Sequence, residues 1–497
     1  MKLQNILHNM LRLQLLWGAA IVFGLIYGLQ RYILFDIEQT RLFVYESTVI
    51  ANIISCAGGL SDLVALWLQQ FFRFNFAAPA ILTIISIVIT INLQCVFKSV
   101  ANRTLTVFEI LCSWIPSMLL VAYNCFIYSI TGHIALLFAT VGLLVYAKHI
   151  VKCKSTIASS ILTLLLILTV GFVASTCVWP MVVTMLIISY HKSNRTNMIV
   201  IAISAIIMVT MAQLTCVALN SSELFSPNIF TIRTSKPTPM IWIWISLVLF
   251  VALAIIKQYQ ADAAKYIGTI GLAISIITPV AINDQSAIDL LWLQRQMDTG
   301  NYNAAYEFTY KHINNAYMSN IYSKLMSMTG QMQVTVGKTI VNEVQLTLPE
   351  QSEAYIRRML MTNYYYLGYV NGAQRMAFEL NEQTIGMMRP DALIVLARTN
   401  IIQGNYAVAQ KYLNHLKNSL FYKKIAEHYS KYLWNEKAIA SAPEFSARRL
   451  ALNIPTIPDR LIEPKYLIKQ IAQASPSLPA KIYYEVYEAL GAYNVEE

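Results

Sequence analysis

Hydrophobic and polar positions change their pattern once along this chain, near Asn283-Asp284. Before that point, apolar runs of membrane-spanning length follow one another with short polar breaks. After it, residues 285–497 contain no such run and read as paired amphipathic helices, with apolar positions recurring at helical spacing. The pattern predicts an all-α protein in two parts. A polytopic membrane helix bundle occupies residues 1–284, and a soluble α-helical repeat domain occupies residues 285–497.

About 20 apolar residues cross a bilayer as a helix. On that measure nine spans are expected, near 13–34, 76–97, 106–128, 131–150, 156–174, 177–190, 198–219, 239–257 and 265–283. The sixth is short and follows a tight break at Ser175-Thr176 and Trp179-Pro180. It reads as a span or as a re-entrant segment, and a re-entrant segment would invert the sides that follow. The first run begins at Leu13, reaches about Leu34 and ends in bulky residues, which reads as an uncleaved first span.

Basic residues assign the sides. Lys2 and Arg12 precede span one, and Lys98 and Arg103 follow span two. Lys148, Lys152 and Lys154 follow span four, Lys192 and Arg195 span six, and Lys257 and Lys265 span eight. The turns near Ile130-Thr131 and Ser175-Thr176 carry neither Lys nor Arg, and the 220–238 loop sets Arg233 and Lys236 against Glu223. The positive-inside rule then puts the N-terminus in the cytoplasm and residues 285–497 outside, the periplasm if the cell is Gram-negative.

Composition narrows the class. Hydrophobic residues make up 56% of the chain, charged residues 13%, and mean hydropathy is +0.50. Residues 1–284 hold 16 Lys/Arg against 8 Asp/Glu, and residues 285–497 hold 21 against 18, so the net charge of +11 belongs mainly to the membrane half. That distribution suits cytoplasmic loops beside anionic lipid, and no aromatic-studded basic stripe points to nucleic acid. The seven cysteines, Cys56, Cys95, Cys112, Cys125, Cys153, Cys177 and Cys216, all lie in the membrane half without zinc-ligand spacing, and they read as small apolar residues. No metal site and no cofactor are expected.

The longest connection in the membrane half, residues 35–75, is not a polar linker. Leu42-Phe43, Val49-Ile50, Ile53-Ile54, Leu60, Leu63-Val64, Leu66-Trp67 and Phe71-Phe72 recur at helical spacing, and Gly58-Gly59 divides them into two short amphipathic helices suited to a membrane interface. Asp36 and Glu38 follow the outer end of span one, and Asp62 lies early in the second short helix. Over residues 13–97 this arrangement resembles the C-type glycosyltransferase architecture. The resemblance implies a lipid-linked sugar substrate, with Asp36, Glu38 and Asp62 acting as general base or holding a divalent metal. Without it, the same acids read as helix-end charges, Asp62 complementing a helix dipole. The residues Phe35-x-x-Glu38-Gln39-x-x-Leu42-Phe43, Gly58-Gly59-Leu60, Leu68-x-x-Phe71-Phe72 and Met328-Thr329-Gly330-Gln331-Met332 resemble an uncharacterised family of Bacteroidota multi-pass membrane proteins with a helical C-terminal region. That resemblance implies an architecture and an envelope location but no activity.

In the soluble half, Gly300-Asn301-Tyr302-Asn303-Ala304-Ala305 matches Gly404-Asn405-Tyr406-Ala407-Val408-Ala409, each set between helical runs. A third copy is read at Gly372 with Ala377 as its small helix residue. The helix, tight turn and small residue resemble a tetratricopeptide repeat, whose period is about 34 residues. Residues 330–352 read as an irregular interruption, 454–464 as a Pro-containing break and 465–493 as a terminal helix pair. Repeat arrays bind peptides or helices, and Tyr364, Tyr365, Tyr366 and Tyr369 are the candidate contact residues, although helical spacing puts part of that cluster in the core.

No phosphate-binding glycine loop, HExxH or Gly-x-Ser-x-Gly occurs in a suitable context, and the histidines are scattered. The leading expectation is an inner-membrane envelope scaffold or assembly factor, contacting membrane lipid and binding a periplasmic or membrane protein through residues 285–497. A C-type glycosyltransferase is the alternative. A small-solute transporter is a third reading, and it would rely on intramembrane polar groups such as Asn92, Asn124 or Gln213.

Overall fold

A computed structural model describes residues 13–125, 129–215, 240–255, 262–312, 325, 354–382, 388–452 and 464–493. The 220–238 loop, the Met328 to Met332 motif, the 330–352 stretch and residues 454–463 lie outside the described residues. Every regular element among the described residues is helical. The chain forms two compact units. One comprises Met1–Glu38 and Tyr45–Asp284, the other Gln39–Val44 and Gln285–Glu497.

In the first unit the helices are α1 (Gln14–Leu25), α2 (Arg31–Thr40), α3 (Ser47–Ile54), α4 (Gly59–Gln69), α5 (Ala77–Ala101), α6 (Val107–Asn124), α7 (Thr131–Val145), α8 (Thr156–Ala174), α9 (Val178–His191), α10 (Arg195–Thr215), α11 (Met240–Ile255) and α12 (Asp262–Ala281). A π-helical turn, Ile26–Gln30, joins α1 to α2. Among the described residues, five helical stretches are long and apolar enough to cross a membrane: Gln14–Thr40, Ala77–Ala101, Val107–Asn124, Thr131–Ile150 and Thr156–His191. Arg195–Met211, Met240–Leu249 and Gly268–Ala281 are shorter apolar helices.

The stretch Thr156–His191 is bent back on itself at Ser175–Cys177, where Ser175 takes φ 47°. Near its start, the Ser159 hydroxyl donates to the Ile150 carbonyl at 3.3 Å. Near its end, the Ser189 hydroxyl is hydrogen-bonded to that of Tyr146. Both ends therefore meet the same turn after α7, so α8 and α9 run in opposite directions.

Small and polar side chains pack these apolar helices. A Cβ on Gly18 would lie 2.4 Å from the Trp114 ring, so only glycine admits that indole. The Trp114 indole N–H donates to Gln14 at 2.7 Å, and Gln14 and Gln94 exchange amide bonds at 3.1 Å. Asn92 donates to Thr140 at 3.3 Å, and the Thr90 and Ser117 hydroxyls meet at 2.9 Å. Such groups hold membrane helices together because lipid offers them no partner. Glu109, buried at the start of α6, closes a capping box with Thr106 and pairs with Arg103 at 2.9 Å. In the first long connection α3 buries no residue, whereas α4 packs on α7 and α8. The turn between α3 and α4 needs both glycines: Gly58 takes φ 82°, and a Cβ on Gly59 would lie 1.8 Å from the Ile53 carbonyl oxygen.

The second unit contains α13 (Gln285–Asp298), α14 (Tyr302–Lys311), α15 (Ala354–Leu367), α16 (Val370–Glu382), α17 (Pro390–Gln403), α18 (Tyr406–Lys417), α19 (Lys423–Ser430), α20 (Glu436–Ser441), α21 (Pro443–Leu450), α22 (Pro464–Ala474) and α23 (Ala480–Tyr493). Successive helices pair as hairpins, and α16 packs on α17 and α18 on α19. Its core includes two side chains from far upstream, Leu42 and Val44. The irregular segment carrying them is held by a Leu42 N–H bond to the Met388 carbonyl at 2.7 Å, and just before it the Gln39 amide donates to the Tyr422 hydroxyl at 2.6 Å.

Leu42→Ala is expected to destabilise the helical unit by about 2–4 kcal/mol, the usual cost of emptying a buried leucine site. Limited proteolysis within residues 285–497 should accelerate for this variant and not for Ile54→Ala, which alters an exposed residue of α3.

Candidate functional site

The three acids singled out from sequence occupy different settings. Asp36 and Glu38 are 2% and 3% exposed, both on α2, and both make polar or electrostatic interactions. Two residues apart on a helix, they face in nearly opposite directions and do not form a paired-carboxylate centre by themselves. Asp62 lies in the first turn of α4 and accepts a hydrogen bond from the Thr131 hydroxyl at 2.9 Å. Among the described residues no group of three or more His, Cys, Asp or Glu is arranged to hold a metal.

The glycine turns are regular. Gly300, Gly368 and Gly404 take φ 76°, 98° and 82°, in the left-handed region that glycine adopts without strain. In each, the next residue's N–H reaches back to a carbonyl five positions earlier. Asn301 bonds Gln296 at 2.9 Å, Tyr369 bonds Tyr364 at 2.9 Å and Asn405 bonds Asn400 at 2.8 Å. This is the Schellman cap of α13, α15 and α17. The third turn therefore belongs to Gly368, not to Gly372 as the sequence register suggests. Gly372 lies inside α16, where a Cβ would come 2.1 Å from the Tyr369 ring. The small residue equivalent to Ala305 and Ala409 is accordingly Ala373, and Ala377 is a further buried position on the same helix.

Burial also locates the tyrosines. Tyr364, Tyr365 and Tyr369 are buried, and Tyr366 is half-buried against the same core. The Tyr365 ring lies 3.9 Å from the Arg398 guanidinium carbon and 4.5 Å from that of Arg448, and its hydroxyl donates to Glu444 at 2.6 Å. Burial, reinforced by the neighbouring Glu444, pushes the Tyr365 hydroxyl up despite the two arginines. Burial works against the Glu444 carboxylate as well, but the Arg398 guanidinium and the Tyr365 hydroxyl outweigh it and hold the carboxyl below its usual range.

Two adjacent arginines of α21 close the ends of two other helices. Arg448 donates to the Tyr365 and Tyr366 carbonyls at 2.8 and 3.3 Å, at the end of α15. Arg449 donates to the Ile402 and Ile401 carbonyls at 3.0 and 3.3 Å, at the end of α17. Cations there satisfy orphan carbonyls and complement the helix dipoles. Glu436 and Tyr406 hold the Arg449 guanidinium in turn.

An open groove of about 500 Å³ lies between α16 and α18, floored by α17. Asn371, Gln374, Arg375, Phe378 and Glu379 line one wall, Val408 and Tyr412 the other, with Leu396 and Asn400 beneath. Gln374 and Gln403 exchange amide hydrogen bonds of 3.1 and 2.8 Å, and Gln403 also donates to Asn371 at 3.2 Å. The carboxamides therefore form a fixed ladder, and the Asn371 amino group has no partner among the described residues. Phe378 and Val408 are 48% and 40% exposed and supply apolar contact area. Arg375 and Glu379 pair at 2.9 Å, so the groove carries little net charge. Such walls suit a polypeptide backbone, which offers alternating donors and acceptors with apolar side chains between them. Sequence reading missed these residues. The available signal was the spacing of Asn371, Gln374, Arg375 and Phe378 along one helix face, with a phenylalanine where a solvated face would be polar.

Residues 6–496 match a family of unknown function (DUF6057), and the chain belongs to that family. No curated protein and no solved structure matches it.

Because the Glu444 carboxyl lies below its ordinary value when folded, its contribution to stability is present above the unfolded pKa of about 4.3 and lost as pH falls through the folded value. Glu444→Gln should lower the melting temperature at neutral pH and weaken the further loss on acidification. Thermal melts across that pH range check both effects.

Proposed function

We propose that this family member is a bacterial inner-membrane protein that presents a periplasmic helical-repeat domain and binds a segment of a partner protein in the groove between α16 and α18. The observation that carries the reading is the carboxamide ladder of Asn371, Gln374 and Gln403 beside exposed Phe378 and Val408. The role is that of an envelope scaffold or assembly factor. The recurrent Schellman turns support a tetratricopeptide-like array, since Gly368 and Gly404 are separated by nearly one such period.

Sidedness is supported by the composition of the second unit. Gln39–Val44 and Gln285–Glu497 share one compact body, so they belong on the same side of a bilayer. The chain between them must then cross an even number of times. Helices α5 to α12, with α8 and α9 as an antiparallel pair, satisfy that parity as eight crossings. Together with the stretch Gln14–Thr40 they amount to nine spans, and the basic residues at alternate exits favour a cytoplasmic N-terminus.

A C-type glycosyltransferase remains the second reading, favoured by the burial of Asp36 and Glu38 near the end of an apolar helical stretch. Carboxylates are costly there and are kept for a function or a partner.

The test is co-purification from detergent extracts. Phe378→Glu with Val408→Glu alters only groove walls and should leave the melting temperature near that of the parent. Loss of a specific co-purifying protein by more than about tenfold is expected, the scale of removing one interface hot spot. An unchanged partner set would remove the groove from the mechanism. Asp36→Asn and Glu38→Gln should leave partner capture intact. If they abolish the cellular function in a folded, inserted protein while capture persists, the transferase reading takes precedence.

A further inference from the structure

The second unit distributes its charge unevenly. Residues 411–437 hold six lysines, Lys411, Lys417, Lys423, Lys424, Lys431 and Lys437, against Glu427 and Glu436. The rest of residues 285–497 hold 15 basic against 16 acidic residues, so the positive balance of this region lies entirely in that short stretch. Its six lysines are all exposed, and no ion pair engages them among the described residues. The arginines are used differently: Arg357, Arg358, Arg375, Arg389, Arg398 and Arg449 form ion pairs within the unit. Arginine builds this fold, and lysine is left facing outward.

Three of the lysines frame one loop. Between α18 and α19 the chain reads Lys417-Asn418-Ser419-Leu420-Phe421-Tyr422-Lys423-Lys424. Leu420, at its tip, is 50% exposed. The base is fixed. The Ser419 hydroxyl donates to the Leu416 carbonyl at 2.6 Å and accepts from the Tyr422 N–H at 3.3 Å, while Phe421 packs on the core and Tyr422 is buried. The Tyr422 hydroxyl receives the Gln39 amide at 2.6 Å. Gln39 is the penultimate residue of the Gln14–Thr40 stretch, which is long and apolar enough to cross a membrane. The loop is thus tied to a residue at the end of such a helix.

We infer that residues 417–424 dock on the anionic headgroup surface of the bilayer, with Leu420 entering the acyl boundary and Lys417, Lys423 and Lys424 among the phosphates. An apolar tip ringed by cations gains from both phases of an interface. Lysine is a compact point charge suited to a diffuse anionic surface, whereas recognition of individual carboxylates on a protein favours the arginine fork, which this loop lacks.

The experiment uses the full-length protein in nanodiscs of phosphatidylcholine with or without phosphatidylglycerol. A spin label is introduced at position 420 as a non-canonical amino acid, leaving the native cysteines untouched. Power saturation by oxygen and by a polar nickel chelate reads its depth. In anionic discs the label should gain oxygen contact and lose nickel contact. Lys417→Gln, Lys423→Gln and Lys424→Gln combined should weaken docking on the order of 100-fold and return the label to water. High salt should act in the same direction by screening. All three lysines are exposed, so an unchanged melting temperature is expected and verifies folding. A label that stays aqueous in anionic discs overturns the inference. So does a lipid-phase signal indifferent to lysine removal and to lipid charge. Shielding that appears only on adding poly-glutamate would also overturn it, in favour of an acidic protein partner.

Discussion

The second unit depends on the capture of six residues that do not adjoin it in the chain. Gln39–Val44 lie within that unit, and Gln39 bonds Tyr422 across 383 positions of sequence. Burying Leu42 and Val44 contributes about 1.5–3 kcal/mol each, a large share of the stability of a small domain. The price is a long loop to close, but closure entropy grows only logarithmically with loop length. A fragment beginning at residue 285 would lack both side chains, as would any design that treats residues 285–497 as self-sufficient.

Within that unit, helices are closed as well as packed. Each glycine turn satisfies some end carbonyls through its own backbone, and at α15 and α17 the helix α21 supplies further donors through Arg448 and Arg449. Neighbouring residues on a helix point about 100° apart, which lets one short helix serve the ends of α15 and α17 together. The Tyr365, Arg398 and Glu444 cluster shows why such a device needs complete pairing. Each partner is partly or fully buried, and removal of Glu444 takes away both the acceptor of the Tyr365 hydroxyl and the counter-charge of Arg398. In the first unit, Gly18 beneath Trp114 and the Gln14, Gln94 and Trp114 bonds answer the same demand for satisfied polar groups in an apolar setting.

Legibility followed the range of the interactions. Apolar runs and helical periods are local, so the all-helical class, the apolar membrane helices and the break at Gly58-Gly59 could be read from the chain. The Gly300 and Gly404 turns were also visible, because a left-handed cap has a residue preference of its own. The third turn was misassigned to Gly372 because two glycines stand four residues apart and only packing distinguishes them. Gly368 faces Ile471 of α22 and Leu478 of the turn after it, whereas Gly372 makes room for Tyr369. Leu478 and Ile471 lie more than 100 positions from Gly368, whereas Tyr369 lies within one helical turn of Gly372, so only the first contact is wholly remote in sequence.

By itself, the amino-acid order determined helix type, the apolar lengths, the uneven charge and the positions of most turns, since each depends on residues within one or two helical turns of one another. Tertiary structure alone decided that Gln39–Val44 belong with residues 285–497, that Tyr364, Tyr365 and Tyr369 are core, and that Gln403 fixes Asn371 and Gln374 in a groove wall. The end of one helix and the four irregular residues that follow it have no period to betray their partner. A tyrosine on an amphipathic helix is equally compatible with core and surface until the neighbouring helices are in position. A carboxamide ladder exists only once the face of one helix and the last residue of the next have been brought within hydrogen-bonding distance.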